Sequence, residues 1–166
     1  MSLRRATAAD APAIGALHHH TMRTSLPFLP ELHSVADVVG FVGRTLFPQN
    51  EIWVAEADGR IVGYIAFTPG WINQLYVHPD AQGQGIGPRL LERALADGSS
   101  RRLWTFQQNQ RARKFYEERG FILLELTDGA GNEEKTPDAL YERRGRDSGE
   151  SKIPCNFRLR RHVIQA

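Results

Sequence analysis

Two hydrophobic periods alternate along the chain, and each assigns a different backbone. Short β-rich runs occur at "EIWVAE" (51–56) and "IVGYIAF" (61–67), separated by Ala57–Arg60, whose Asp58-Gly59 is a strong hairpin signal. A third run, "INQLYVHP" (72–79), ends at Pro79, so these three predict an antiparallel meander. Helical spacing takes over in "PRLLERALAD", with apolar residues at 90, 91, 94 and 95. Upstream, "TAADAPAIGALHHHTM" reads as a helix that Thr7 or Asp10 can cap, with Pro12 in its first turn. Ser34 is placed to cap a second helix, "VADVVGFVGRTLF", after the proline-punctuated connector "SLPFLPELHS". "LRRAT" begins like an edge strand. "RLWTFQ", "FILLELT" and "PDALYERR" read as later strands, and "QRARKFYEERG" as a helix closed by Gly120. The order predicts an α+β fold with a mixed sheet, parallel only where a helix crosses over.

The totals narrow the class. A chain of 166 residues suits one domain, and 41% hydrophobic with 24% charged residues is globular. Of 21 basic and 19 acidic side chains, residues 145–166 hold five basic and two acidic, which leaves 16 against 17 in residues 1–144. The near-neutral body asks for no nucleic-acid partner. The basic end is set apart as a tail in which Phe157, Leu159, Arg161 and Val163 alternate as a strand would; it is a candidate added strand or contact with a second copy of the chain, hence a homodimer. No apolar run reaches the ~20 residues of a membrane span. No membrane partner is therefore expected, and a leader-less start and a single cysteine, Cys155, predict a cytoplasmic protein.

"LYVHPDAQGQGIGPRLLERAL" (75–95) is the stretch that carries chemistry. Gly83, Gly85 and Gly87 fall between a strand and a helix, where unpaired amides and the positive end of the helix dipole converge. Each glycine costs backbone entropy, so three at one corner point to a bound phosphate or pyrophosphate rather than to a tight turn alone. A P-loop would end in Gly-Lys-Ser/Thr, whereas this turn ends Gly87-Pro88-Arg89. A dinucleotide fingerprint fits poorly, because the spacing is G-x-G-x-G and the preceding strands read as antiparallel.

"Gln82-Gly83-Gln84-Gly85-Ile86-Gly87" resembles the Q/R-x-x-G-x-G/A signature of the GNAT superfamily of acyl-CoA-dependent N-acyltransferases. Downstream, Asn109, Ala112, Phe115 and Tyr116, followed by Gly120-Phe121, are similar to that superfamily's second motif, N-x-x-A-x-x-F-Y. The likeness is sharp over about 72–122 and looser over residues 1–144, the expected domain; residues 145–166 match no part of it. It implies a mostly antiparallel central sheet of six to seven strands, splayed in the middle and flanked by about four helices.

The resemblance also implies an acetyltransferase that uses acetyl-CoA as cosubstrate and moves its acetyl group to a primary amine of a small molecule or peptide, by direct attack in a ternary complex. Backbone groups of Leu75, Tyr76 and Val77 would pair with the pantetheine arm, and an amide near Val77 would polarise the thioester carbonyl. Amides from Gln82 to Gly87 would hold the pyrophosphate, Asn109 would bond the arm, and Ala112 and Phe115 would line its channel. Tyr116 would be the general acid for the leaving thiolate. Pro88, where many relatives carry Ser or Thr, removes one donor from the turn. Arg111, Arg113, Lys114 and Arg119 are either a phosphate-facing cluster or a solvated helix face. The alternative function is a CoA-binding sensor or interaction module without turnover.

The base for the amine proton is not singled out: Glu31, His33, His78, Glu133 and Glu134 are the candidates, since Gln74 cannot serve. His18-His19-His20 is not a metal site on this reading, because adjacent helical residues point about 100° apart. His19 or His20 is instead expected at the acceptor pocket.

Overall fold

A computed structural model describes residues 1–146; the remainder of the basic tail, with its expected strand and its expected role as a subunit contact, lies outside the described residues. The elements run β1 (Ser2–Arg5), α1 (Ala11–Ser25), α2 (Val35–Phe41), β2 (Glu51–Ala57), β3 (Arg60–Thr68), β4 (Trp71–Val77), α3 (Ile86–Leu95), β5 (Arg101–Phe106), α4 (Gln110–Glu117), β6 (Ile122–Thr127) and β7 (Asp138–Arg143). α2 continues through a π-helical stretch, Val42–Leu46, into a last turn at Phe47–Gln49.

Local chemistry sets most of these boundaries. Ser34 caps α2, its hydroxyl accepting the Asp37 N–H at 3.1 Å while the Asp37 carboxylate accepts the Ser34 N–H at 2.9 Å. Asp58 and Gly59 both take positive φ, 51° and 72°, as a type I′ hairpin turn requires, and so fold β3 onto β2. Ahead of α1, Asp10 receives two hydrogen bonds from Arg4, which together with the Thr7 N–H holds its carboxyl down at about 2.

The seven strands form one sheet in the order β1-β2-β3-β4-β5-β7-β6. Every adjacent pair is antiparallel except β4 and β5, which α3 connects as a parallel crossover. That pair meets only at its start, where Trp71 is in register with Arg102 and the Arg102 N–H reaches the Gly70 carbonyl at 2.8 Å. Farther along, β4 stays on β3 as far as Val77, and β5 stays on β7 as far as Phe106. The sheet therefore opens between the second halves of β4 and β5, which is the expected splay.

Each face of the sheet has its own core. Leu75, Val77, Leu90, Leu91, Ala112 and Tyr116 pack beneath α3 and α4, whereas Ile14, Val42, Tyr64, Tyr76 and Phe106 pack beneath α1 and α2. Side chains of β4 thus alternate between the two cores, so this one strand touches whatever binds on either face. Edge strand β6 leaves Ile122, Leu123, Leu124 and Leu126 exposed. No described helix is long and apolar enough to cross a membrane.

Candidate active site

At the end of β4 the chain turns through Pro79–Ala81 into the glycine stretch. Gly83 and Gly85 take φ of 78° and 79°, in the left-handed region, with nothing within 4 Å of the place a Cβ would occupy. Backbone conformation rather than packing is what selects glycine there. Gly85 is the N-cap of α3, so the amides of Ile86 and Gly87 find no carbonyl within the helix. Pro88 follows in the first turn and offers no N–H. Gln82 braces the corner: its Nε2 donates to the Val77 carbonyl at 3.0 Å and its Oε1 accepts from Arg111 at 2.7 Å.

Between this turn and α4 lies a cleft of about 350 Å³. Gly83, Gly85 and Gly87 line one side, Arg111, Lys114, Phe115 and Arg119 the other, and Val77 also lines it. Arg119 stacks on Phe115 at 4.0 Å and donates to its carbonyl at 2.9 Å. Arg113 departs from its neighbours and donates to the Tyr141 hydroxyl at 2.9 Å. Helical spacing already contained this division, since residues 111, 114 and 115 share a face that 113 does not.

Asn109 is the N-cap of α4, its Oδ1 accepting the Ala112 N–H at 3.1 Å, and Ala112 is fully buried in the core. One turn on, Tyr116 is fully buried against Phe115 and Phe121, at centroid distances of 5.0 and 5.3 Å. Its hydroxyl has no hydrogen-bond partner among the described residues. Burial pushes its pKa well above the usual tyrosine value, with the Arg119 charge opposing. The hydroxyl therefore keeps its proton throughout the neutral range.

A second cavity, about 620 Å³, opens on the α1–α2 face of the sheet. Gln74 and Tyr76 form its floor, α1 and α2 its walls, and Glu133 and Glu134 enter from the loop between β6 and β7. Buried Asn132 shapes that loop, donating to the Thr136 carbonyl at 2.7 Å and to Asp138 at 3.0 Å. Burial raises the Tyr76 pKa well above 10, and the charges of Tyr64, Glu134 and Tyr116 push it the same way.

The three histidines diverge as a helix requires. His18 is buried, stacks on Tyr76 at 4.0 Å and bonds the Tyr64 hydroxyl through Nδ1 at 2.7 Å. His19 lines the second cavity, and His20 stacks on His78 at 5.0 Å outside it. No group of three His, Cys, Asp or Glu able to hold a metal ion occurs among the described residues.

Comparison with known proteins places these features in a family. Residues 48–123 match the acetyltransferase (GNAT) domain. The protein named "Probable N-acetyltransferase Rv2775", from Mycobacterium tuberculosis, is 32% identical over 138 residues, covering 72% of this chain and 78% of that protein. This chain belongs to the GNAT acetyltransferases. The peptidyl-lysine N-acetyltransferase YiaC of Escherichia coli is 27% identical over 124 residues, 74% of this chain and 84% of the relative. The yncA structure from Salmonella typhimurium, solved with its cofactor acetyl-CoA, shares the fold at a TM-score of 0.69 and 19% identity, over 93% of this chain and 98% of that one.

The chain is therefore an N-acetyltransferase whose acetyl donor is acetyl-CoA, and its residues fit that donor. The amide fan and the Arg111–Lys114–Arg119 face suit a pyrophosphate, and the unpartnered Tyr116 hydroxyl suits a sulfur leaving group. Substituting Gly85 with valine tests the fan. A branched side chain in the left-handed region costs about 1–2 kcal/mol or more, so the turn re-forms with its amides misdirected. Acetyl-CoA affinity, read by calorimetry, is expected to fall at least about tenfold, equivalent to 1.4 kcal/mol.

Geometry also sorts the proton acceptors. Glu31 pairs with Arg23 and His33 with Glu133, all with exposed side chains. His78 lies outside the second cavity, its Nδ1 accepting the Asp80 N–H at 3.2 Å. Glu134 is half-buried in the cavity wall. Gln74 and Tyr76 are cavity residues to which the motifs give no acceptor role, whereas of His19 and His20, the pair expected at an acceptor pocket, His19 lines this cavity. Only the alternation of β4 pointed to Gln74 and Tyr76 as a pair.

Proposed function

We propose that the acetyl group is transferred within the gap between β4 and β5. Acetyl-CoA enters from the glycine-turn cleft and the amine from the cavity on the opposite face. One observation carries this reading: Val77 lines the cleft while Gln74 and Tyr76 line the cavity, so a single strand joins both at the place where the sheet opens. The His78 N–H bonds the Val62 carbonyl of β3 at 2.8 Å. Strand alternation then turns the N–H groups of Leu75 and Val77 away from β3 and into the gap.

In this mechanism Leu75 and Val77 hold the pantetheine arm as an added strand, whereas Tyr76, expected to share in this, turns its backbone to Tyr64 of β3; the Gln82–Gly87 amides hold the pyrophosphate. Asn109 keeps the start of α4 in place, with Ala112 and Phe115 beside the arm. The acceptor nitrogen loses a proton to Glu134 and attacks the thioester carbonyl carbon, forming the C–N bond. The Val77 N–H faces the oxygen as negative charge gathers on it. As the C–S bond breaks, Tyr116 donates its proton to the departing thiolate, and the second proton shed by the nitrogen restores the Tyr116 hydroxyl. A primary amine of a small molecule or a peptide meets these requirements.

Direct attack leaves no acetylated enzyme. Incubation with acetyl-CoA alone is expected to leave the intact protein mass unchanged, with CoA released only after an amine is added. An acetyl-protein that forms and decays at the rate of turnover would overturn the ternary mechanism.

A further inference from the structure

We propose that the acceptor is a small primary amine carried on an apolar body without a carboxylate, an arylalkylamine in chemical class, a choice that rests on the reading that the 620 Å³ cavity receives the acceptor. Size is the first reason, because the cavity falls within the roughly 300–1,000 Å³ typical of small-molecule sites. Two of its lining residues, His33 of the α1–α2 connector and Glu133 of the β6–β7 loop, meet at 2.6 Å and join its walls. An extended peptide needs an open groove along which its backbone can run, whereas this contact ties one wall to the other.

Polarity divides the cavity into a head site and a body site. At the floor, Gln74 is only 4% exposed and its Oε1 has no hydrogen-bond partner among the described residues. With the Glu134 carboxylate in the same cavity, this makes a place for an N–H donor beside the opening of the sheet. Met22, Leu26, Leu29, Val38 and Phe41 make the walls apolar.

Charge then rejects a carboxylate on the acceptor. Arg23 is the single Arg or Lys among the described lining residues, and Glu31 already pairs with it. His33 is taken by Glu133, and Asp37 by the cap of α2. A free amino acid would bring its carboxylate toward Glu133 and Glu134 with no cation to receive it. An amine on an aromatic or branched alkyl body meets neither problem.

The test compares 2-phenylethylamine and tryptamine with L-phenylalanine and with Nα-acetyl-lysine methylamide in acetyl-CoA consumption. The first two are expected to give kcat/KM at least about tenfold higher, the ratio that 1.4 kcal/mol of discrimination supplies. 2-Phenylethylamine is also expected to raise the melting temperature of the CoA-bound protein, which L-phenylalanine does not. Gln74→Leu should raise KM for 2-phenylethylamine at least about tenfold, leaving acetyl-CoA affinity unchanged. Leu32→Lys, at an exposed position on the cavity wall, should weaken 2-phenylethylamine and improve L-phenylalanine. Equal or better use of phenylalanine or the lysine derivative overturns this substrate class and leaves the transfer site standing. If no amine is acetylated, both proposals fall.

Discussion

Replacing Tyr116 with phenylalanine is expected to lower turnover by about 10²-fold or more, the usual share of a general acid, without weakening acetyl-CoA binding or lowering the melting temperature. The reason lies in an imbalance within the core. The ring is held on both sides by Phe115 and Phe121, and phenylalanine keeps those contacts. The hydroxyl is fully buried and has no partner among the described residues. Burying a hydroxyl without a hydrogen bond costs about 1–3 kcal/mol, so its removal should leave stability equal or higher. A group that weakens the fold while burial keeps it protonated fits a proton donor to the leaving sulfur. Kinetics and thermal unfolding of Tyr116→Phe, measured together, decide the matter. Unchanged turnover would sink the acid role, and a marked loss of stability would recast Tyr116 as a packing residue.

Glu134→Gln carries the second large effect, a fall of about 10²-fold in kcat/KM at neutral pH. An alkylamine acceptor with pKa near ~10.4 arrives protonated, and of the carboxylates lining the cavity Glu134 is the half-buried one, Glu31, Asp37 and Glu133 being exposed. The sign of the pH dependence follows. Without a base, the rate tracks free amine, so the variant should gain about tenfold per pH unit below the amine's pKa. The native enzyme should rise less steeply, and the deficit should shrink toward alkaline pH. His78→Ala provides the contrast, because His78 stacks on His20 outside the acceptor cavity. A pH-independent deficit in Glu134→Gln would mean that Glu134 only shapes the pocket.

The two motifs differ in how far local sequence specifies them. The glycine turn was readable because its geometry is local: Gly83 and Gly85 hold their own positive φ, and the following helix leaves its own amides unpaired. The hairpin at Asp58-Gly59 and the cap at Ser34 were readable for the same reason, since each partner lies within a few residues. The basic cluster of α4 was only half readable. Its spacing separates Arg113 from Arg111 and Lys114, but which face meets the glycine turn depends on how α4 packs.

The acceptor side was hardly readable at all. Glu134, Gln74, His19 and Phe41 come from a loop, a strand and two helices, and no sequence spacing relates them. The five candidate bases differ in position and burial through contacts that no local spacing shows, such as that of His33 with Glu133, which lie 100 residues apart. By itself, then, the sequence determined the elements proposed to hold the donor: the strand, the glycine turn and the helix bearing Tyr116, all built from near-neighbour backbone geometry. The tertiary structure alone decided which face of α4 meets the glycine turn and what lines the cavity proposed for the amine. Those features arise from long-range strand order and packing, in which residues far apart in the chain compete for the same buried space.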